Sequence, residues 1–344
     1  MSRLAELIEE LCPDGVEYRP LSDLVRIRNG CDYKTLSPGN VPVYGSGGVM
    51  THVSEALGEG PTVLIPRKGS LDNIFFVEGE FWTVDTIFYT EIASDLDPKF
   101  FYYKMKTMHL SQMNEAAGVP SMNQRKLGRI QIPVPPLEVQ REIVRILDQF
   151  TTLEAELEAE LEARRTQYEH YRNHLLSYES LAARGPVEMV KLGDMLEMRA
   201  GNSISSKYIF ERSDSEHIYP CYGANGVRGY VRSMTHEHDA SIIGRQGALC
   251  GNVTYADGPF FATEHAVVVS PRVELSQRWL YHALIVANLS QYATKSAQPG
   301  LSVRRVAEVE IPVPRLSEQY RIADLLDGFD ALVNDITSGL PAEI

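Results

Sequence analysis

The chain has 344 residues, 44% of them hydrophobic, and a formal net charge of -13 at pH 7. This length exceeds the usual size of a single domain, so we expect two domains with connectors. No apolar run is long enough for a membrane span or a signal peptide, and the four cysteines show no C-x-x-C spacing. These features predict a cytoplasmic protein with reduced thiols and no membrane partner.

The acidic excess is confined to three segments of the chain. Residues 1–20 carry a net charge of -3, and residues 137–181 and 317–344 carry -5 each. Residues 21–136 and 182–316 are therefore neutral together. Because these two parts can still present basic loops to an anion, the overall charge does not exclude a nucleic-acid partner.

The first third of the chain predicts a short helix followed by an α+β body. The apolar residues Leu4, Leu7, Ile8 and Leu11 share one face of a helix over residues 2–11, and the turn at residues 13–15 ends it. Residues 98–112 also have a helical pattern. Between these helices, turns separate β-rich runs at residues 41–44, 62–65, 74–77 and 81–90.

A long helix is predicted immediately after Pro136. The prolines of Ile132-Pro133-Val134-Pro135-Pro136 exclude a helix interior there, and no glycine or proline follows before Gly185. A helix of about 40 residues, roughly 60 Å long, is therefore expected. Its apolar residues recur at the three- and four-residue spacing of a coiled coil: Ile143, Ile146, Leu147, Phe150, Leu153, Leu157, Leu161, Tyr168, Tyr171 and Leu175.

The sequence that begins the long helix returns later in the chain. Ile132-Pro133-Val134-Pro135 matches Ile311-Pro312-Val313-Pro314 at an offset of 179 residues, and Gln140, Asp148 and Phe150 match Gln319, Asp327 and Phe329. Short sequence segments of the first body also recur between residues 182 and 316. The chain is therefore an internal duplication in which these short segments match and the loops between them differ.

The repeat predicts five parts in a circular arrangement with pseudo-twofold symmetry. The second helix stops before it reaches a counterpart of Thr166, and Gly339 and Pro341 interrupt it. We expect the N-terminal helix to pack beside it and complete it. The predicted parts are residues 1–15 as the N-terminal helix, 16–136 as the first body, 137–181 as the first spacer helix, 182–316 as the second body, and 317–344 as a shortened second spacer helix.

With its duplicated IPVP-x-L-x-x-Q pattern and two unlike bodies, the chain resembles the specificity subunits of type I restriction-modification systems. The resemblance covers nearly the whole chain. It implies two target recognition domains, each binding one half of a split double-stranded DNA sequence, held apart by long antiparallel helices. It also implies a non-catalytic chain without a cofactor of its own.

The partners implied by the resemblance are the modification (methyltransferase) subunits and the restriction (motor-nuclease) subunits. S-adenosylmethionine, ATP and Mg are expected in those partner subunits. The spacer helices are expected to bind the partners through the repeated positions Gln140, Ile143, Leu147, Phe150, Gln319, Ile322, Leu326 and Phe329.

The residues expected to contact DNA lie in glycine-flanked loops of the two bodies. Arginine and lysine can donate to guanine, and asparagine and glutamine can pair with adenine. Other roles remain open. One alternative is that phosphate binding or bracing of the domain is the role of Arg67 and Arg245. Phosphate contacts and solvated loop charges are the two interpretations of Arg125, Lys126, Arg304 and Arg305. The predicted DNA-binding residues are Tyr44, Ser46, Arg67, Lys68, Ser70, Asn73, Tyr222, Asn225, Arg228, Arg245 and Gln246.

No pattern in the sequence indicates a catalytic or metal site. His236-Glu237-His238 has alternating metal-ligand types, but we expect this segment to be a solvated turn and predict no metal there. There is no phosphate-binding loop motif and no Asn/Asp-Pro-Pro-aromatic motif of an adenine methyltransferase. The alternative function is a coiled-coil adaptor that does not bind DNA and uses two α+β domains for protein or small ligands.

Overall fold

The structure, a computed structural model, describes residues 2–114, 118–294 and 299–334. The chain forms two compact units that divide between Glu154 and Ala155, within its longest helix. In the ranges that the structure describes, no helix combines the length and the apolar composition needed to cross a membrane.

The first unit is a mixed α+β body. Among its described residues the helices are α1 (Arg3–Leu11), α2 (Leu21–Leu24), α3 (Pro98–Lys106), α4 (Gln124–Gly128) and the beginning of α5 (Leu137–Leu175), with a 3-10 turn at Leu110–Met113. The strands are β1 (Tyr18–Pro20), β2 (Val25–Asn29), β3 (Pro38–Gly45), β4 (Gly48–Val53), β5 (Gly58–Glu59), β6 (Thr62–Pro66), β7 (Phe75–Val77), β8 (Glu80–Thr83), β9 (Ile87–Ile92) and β10 (Gln131–Pro133).

The second unit has the same order of elements, except that its described residues contain no counterpart of β5 and one additional 3-10 turn. Its described helices after α5 are α6 (Tyr178–Ala182), α7 (Leu192–Met195), α8 (Gln277–Val286), α9 (Val303–Ala307) and α10 (Leu316–Asn334), with 3-10 turns at Ser206–Tyr208 and Leu289–Tyr292. The strands are β11 (Val187–Lys191), β12 (Leu196–Ala200), β13 (Tyr219–Gly223), β14 (Gly226–Val231), β15 (Ala240–Gly244), β16 (Val253–Ala256), β17 (Phe261–Ala262), β18 (Ala266–Pro271) and β19 (Glu310–Pro314).

The two units share their sheet topology except for β5, an edge strand paired with β8 that has no counterpart among the described strands of the second unit. The order β2-β9-β6-β7 in the first unit corresponds to β12-β18-β15-β16 in the second, and β4-β3-β8 corresponds to β14-β13-β17. Both central strands, β6 and β15, are buried along their whole length. Because one fold is built twice, the α+β class and the repeat predicted from the sequence are confirmed.

The repeated Ile-Pro-Val-Pro segments close the two bodies. In the first unit β10 pairs antiparallel with β1, with Ile132 opposite Arg19. In the second unit β19 pairs antiparallel with β11, with Ile311 opposite Val190. Each body therefore begins and ends on a two-stranded ribbon, and the spacer helix leaves directly from that ribbon.

The first spacer helix has the expected start and length. Helix α5 begins at Leu137, as expected, and extends over 39 residues. The expected length of about 40 residues is therefore confirmed. Helix α5 ends at Leu175, and the short helix α6 begins after Ser177. The Ser177 hydroxyl accepts a bond from the Ser180 amide and donates to the His174 carbonyl, and such side-chain bonds compete with helix continuation.

The antiparallel arrangement of spacer helices is visible within the second unit. The ring of Tyr171 on α5 stacks on Phe329 of α10, with centroids 6.2 Å apart. Farther along the chain, Arg184 lies 3.9 Å from Glu318, near the start of α10. The contacts run in opposite directions along the two segments, so the chain from Tyr171 to Arg184 is antiparallel to α10.

Other predictions in the terminal and helical segments have mixed outcomes. Helix α1 forms as expected, capped by the Ser2 side chain. The single helix expected over residues 98–112 is wrong, because α3 ends at Lys106 and His109 adopts a φ of 45° before the 3-10 turn.

The last ten residues of the second spacer, with Gly339 and Pro341, lie outside the described residues. The packing of α1 beside that spacer, the circular arrangement and the five domain boundaries stay predictions.

Gly30, which follows β2, is required by a close approach of two backbones. A Cβ atom at this position would lie 2.2 Å from the Val84 carbonyl oxygen, and Gly201 has the same relation to Ala262. We expect Gly30→Ala to lower the free energy of unfolding by about 1–3 kcal/mol through forced displacement of the strand. Urea unfolding would measure it against Gly47→Ala, where no atom lies within 4 Å. Equal midpoints for the two variants would contradict this expectation.

Candidate nucleic-acid interface

Three loops of the first unit meet on one surface. Asn73 Nδ2 donates to the backbone oxygen of Ser46 at 3.1 Å, which joins the loop after β6 to the β3–β4 turn. Gly69 has a φ of 83°, and a Cβ there would lie 3.2 Å from Ser46 Oγ. The Gly69 amide also donates to the Pro120 carbonyl at 2.9 Å. The structure therefore brings together the loops in which the first set of DNA-binding residues was predicted.

The side chains of this surface differ in how freely they can meet a ligand. Lys68, Ser70 and Asn73 are exposed. The Arg67 guanidinium lies 5.9 Å from the centre of the Phe88 ring, so part of its interaction capacity is used inside the unit. The half-buried Tyr44 ring lies 6.0 Å from the Phe75 ring. Lys68, Ser70 and Asn73 are thus the accessible side chains among these candidates, whereas the contact of Arg67 favours a bracing role.

The second unit holds its candidate loops with the same backbone hydrogen bonds. The amides of Arg245, Gly247 and Leu301 donate to the carbonyls of His265, Pro299 and Arg245, at 2.9, 3.0 and 2.8 Å. The corresponding bonds in the first unit are donated by the amides of Arg67, Gly69 and Met122 to the carbonyls of Thr86, Pro120 and Arg67, at 2.8, 2.9 and 2.8 Å. One backbone pattern therefore presents two different sets of side chains.

Most of the predicted DNA-binding residues of the second unit are accessible. Asn225 lies exposed in the turn between β13 and β14, Gln246 is exposed, and Arg245 is partly buried. Arg228 is exposed on β14, and its aliphatic chain packs so closely on Gly223 that a Cβ there would lie 2.5 Å from Arg228 Cδ. The exposed guanidinium and amide groups suit base edges or phosphates.

Tyr222 does not belong to this surface. Its side chain is only 7% exposed and makes an edge-on contact with Phe260, with ring centroids 5.6 Å apart. Burial raises the pKa of its hydroxyl. The expectation that Tyr222 contacts DNA is therefore corrected: its large apolar ring is used in the core.

The basic residues on the short helices that precede the spacers differ in exposure. Arg125, Arg304 and Arg305 are exposed on α4 and α9. The Lys126 ammonium instead donates to the backbone oxygen of Met113. Lys126 therefore supports the loop next to it, and the three arginines remain available to phosphate.

Half of the predicted partner-binding residues are buried inside their own unit. Gln140, Gln319, Ile322 and Leu326 are at most 3% exposed. Gln140 accepts a bond from the Asp97 amide at 2.7 Å and donates to the carbonyls of Asp95 and Pro135. The prediction that these four residues contact partner subunits is wrong, because each satisfies the packing or the hydrogen bonding of its own unit.

The accessible apolar residues of the spacers lie farther along the helices. Phe150 is 65% exposed and Phe329 is 37% exposed, whereas Ile143 and Leu147 are partly covered. Leu153, which follows Phe150 by one helical turn, is also exposed but was not among the predicted partner contacts. The heptad spacing was the signal that could have selected Leu153.

The His-Glu-His segment is only partly the solvated turn that we expect, because Glu237 and His238 are exposed and His236 is partly buried. The His236 ring stacks on Phe260 at a centroid distance of 4.9 Å. Burial lowers the pKa of its imidazole. No group of three or more potential metal-ligating side chains occurs among residues 2–114, 118–294 and 299–334.

Comparisons with known proteins agree with this architecture. The family model for the type I restriction modification DNA specificity domain matches residues 13–163 and 185–344. The specificity subunit of the type I restriction enzyme EcoprrI from Escherichia coli is 44% identical over 258 residues, which span 71% of this chain and 64% of that relative. A putative specificity subunit from Haemophilus influenzae is 28% identical over 96% of this chain and 91% of its own length.

The fold itself is found in a solved structure. A crystal structure of the type I restriction-modification S subunit from M. genitalium superimposes with a TM-score of 0.62 at 18% identity, covering 95% of this chain and 93% of that one. The family model matches most of the chain, once in each repeat. The chain therefore belongs to the family of type I restriction-modification DNA specificity subunits.

Proposed function

We propose that this chain reads a bipartite DNA sequence for a type I restriction-modification complex. Each body binds one half-site, and the spacer helices set the length of the unread gap between the halves, as subunit geometry sets half-site spacing in dimeric DNA-binding proteins. One observation carries this proposal. The same three backbone bonds hold the candidate loops in both units, while the exposed side chains differ, Lys68 and Asn73 in one and Gln246 and Asn225 in the other.

The chain is proposed to be a non-catalytic scaffold for the other subunits. Modification subunits would supply methyl transfer from S-adenosylmethionine to adenine, and restriction subunits would use ATP and Mg. The exposed Phe150, Leu153 and Phe329 are apolar side chains of the kind that a protein partner covers. The acidic spacers repel phosphate, so they suit protein contacts better than DNA contacts. A complex that acts on chromosomal DNA would reside in the cytoplasm.

The alternative function, an adaptor that does not bind DNA, has less support. It would explain the exposed apolar residues of the spacers, but it gives no reason for two bodies that hold unlike polar side chains on one backbone pattern. Membership in the specificity-subunit family also disfavours it.

Exchange of one body tests the proposal. A chimera in which residues 182–316 come from a relative with another target would be produced with its modification subunits in a host, and methylated adenines would be mapped across the genome. We expect a split motif in which only one half differs from the wild-type motif. A motif that changes in both halves, or methylation without a split motif, would contradict two independent half-site readers.

A further inference from the structure

A cluster of polar and aromatic side chains ties the first body to its spacer helix. Lys99 Nζ donates to Asp148 Oδ2 at 2.8 Å, and the Tyr103 hydroxyl donates to Asp148 Oδ1 at 2.7 Å. The Lys99 ammonium also lies 5.9 Å from the centre of the Phe76 ring, and Phe76 contacts Tyr102. We call these five residues the first junction cluster. It connects β7 and α3 of the body to α5.

The second unit contains a cluster of the same design. Arg278 donates two hydrogen bonds to the Asp327 carboxylate at 2.7 and 2.9 Å, and His282 Nε2 lies 2.8 Å from Asp327 Oδ1. The Arg278 guanidinium lies 4.3 Å from the centre of the Tyr255 ring, and Tyr255 contacts Tyr281. These five residues form the second junction cluster. It connects β16 and α8 to α10.

The two clusters correspond position by position. Every member of the first lies 179 residues before its counterpart in the second, the same offset as the spacer motif. The residue type is kept at two positions and changed at three, but the chemistry is kept at all five: an aromatic ring on the strand, a cation, a second ring, a hydrogen-bonding side chain and a carboxylate. The pairs are Phe76 and Tyr255, Lys99 and Arg278, Tyr102 and Tyr281, Tyr103 and His282, and Asp148 and Asp327.

Each cluster is the second of two attachments of the body to its spacer. The first attachment is Gln140, eight residues earlier, which binds the Asp97 amide at the start of α3. In the second unit, Gln319 binds the Ser276 amide in the same way. Eight residues of helix span about 12 Å. Apolar residues between these points, Ile143 in the first unit and Ile322 in the second, also pack on the body. The directional polar bonds at the two ends of this span add to that packing and fix the direction of the helix.

The electrostatics keep the second attachment charged at neutral pH. Burial alone would raise the pKa of Asp148, but the hydrogen bonds from Lys99 and Tyr103 outweigh it and hold that pKa below its usual value. The pKa of Asp327 is lowered for the same reasons, with Arg278 and His282 as the partners. Both carboxylates therefore stay ionised, and charged partners strengthen the bonds that they accept.

We propose that Asp148 and Asp327 are positioning residues that fix the angle between each body and its spacer helix, and thereby restrict the gap between half-sites that the protein accepts. This inference rests on the proposed function, because it assumes that the bodies read two half-sites. The carboxylates themselves touch no base. Loss of a cluster should therefore alter the accepted spacing and leave the sequence of each half-site unchanged.

A series of DNA duplexes with different gaps tests the first cluster. The reconstituted complex with modification subunits would be assayed for binding to its two half-sites at the native gap and at gaps one and two base pairs longer or shorter. Asp148→Asn keeps the shape of the side chain and removes its charge. We expect the preference for the native gap to fall by about 3- to 30-fold, the range of couplings within one side-chain network, while discrimination within each half-site is kept.

Matched variants separate positioning from general damage. Glu154→Gln, at an exposed position on the same helix, should keep the wild-type gap preference. Lys99→Arg introduces the cation of the second cluster and should also keep it, whereas Lys99→Met should lower it as Asp148→Asn does. In the second unit, Asp327→Asn would be compared with Asp324→Asn on the exposed side of α10. Unchanged gap preference in Asp148→Asn, Lys99→Met and Asp327→Asn would overturn the inference.

A distance measurement on the chain alone, without DNA, can also be made on variants that assemble poorly with the modification subunits. Spin labels would be placed on the full chain through Glu154→Cys on α5 and His52→Cys on β4, both exposed, with the exposed Cys31 replaced by serine. Asp148→Asn should broaden the label-to-label distance distribution relative to the parent chain, and an unchanged distribution would overturn the inference. If instead the wild-type complex binds no split sequence, the proposed function fails, independently of the behaviour of the clusters.

Discussion

Replacement of Gln140 by leucine is expected to lower the free energy of unfolding of the first unit by about 2–4 kcal/mol. The side chain is fully buried and forms three hydrogen bonds to backbone groups, of which the Asp97 amide and the Pro135 carbonyl are the shortest at 2.7 Å each. Leucine fills a similar volume but leaves these groups without partners, and each unpaired buried polar group costs about 1–3 kcal/mol. The bonds to Asp95 and Asp97 are only partly buried, so water recovers part of their cost and the total stays below three full penalties. Urea unfolding followed by circular dichroism and tryptophan fluorescence would measure the change.

The same helix supplies the control for this experiment. Gln149→Leu removes an exposed amide whose side-chain bond within the described residues is to Arg145, so its effect should stay within about 0.5 kcal/mol. Gln319→Leu should destabilise the second unit in the same way as Gln140→Leu destabilises the first, because Gln319 holds the Ser276 amide and the Pro314 carbonyl. If Gln140→Leu unfolded at the same urea concentration as Gln149→Leu, the anchoring role of the repeated glutamine would be excluded.

The double replacement Arg67→Ala and Lys68→Ala should weaken recognition of one half-site by about 10- to 100-fold and spare the other. A good side-chain contact to a base is worth about 1–3 kcal/mol of discrimination. Lys68 is exposed, whereas Arg67 already lies over Phe88, so Lys68→Ala alone should account for most of the loss. Binding of the complex to duplexes with single changes in either half-site, at one fixed salt concentration, would measure it.

A charge control distinguishes base reading from attraction to phosphate. Arg141→Ala removes one positive charge from an exposed position of α5, outside the loops, and should leave the discrimination of both half-sites unchanged. If Lys68→Ala lowered affinity equally for every duplex and reduced the salt dependence, Lys68 would be a phosphate contact. If neither Lys68→Ala nor the double variant altered binding to either half-site, the loop after β6 would have no part in the interface.

Features that depend on local chemistry could be predicted from the residue order. Proline cannot continue a helix and the apolar spacing of three and four continues one, so the start of α5 at Leu137 follows from its own neighbourhood. The constant offset of 179 residues likewise predicts one fold built twice, because equivalent segments occupy equivalent places. Ser177 shows the limit of this reasoning, since one capping serine ended α5 in a stretch without glycine or proline.

The sequence by itself determined the class of fold and the duplication, because periodicity, turn residues and repeats act over short stretches of chain. Only the tertiary structure decided that Gln140 and Tyr222 are buried and that Lys99 meets Asp148 across 49 residues. Burial and pairing depend on which distant segments come together, and a repeated polar residue looks the same in sequence whether it binds a partner or anchors its own domain.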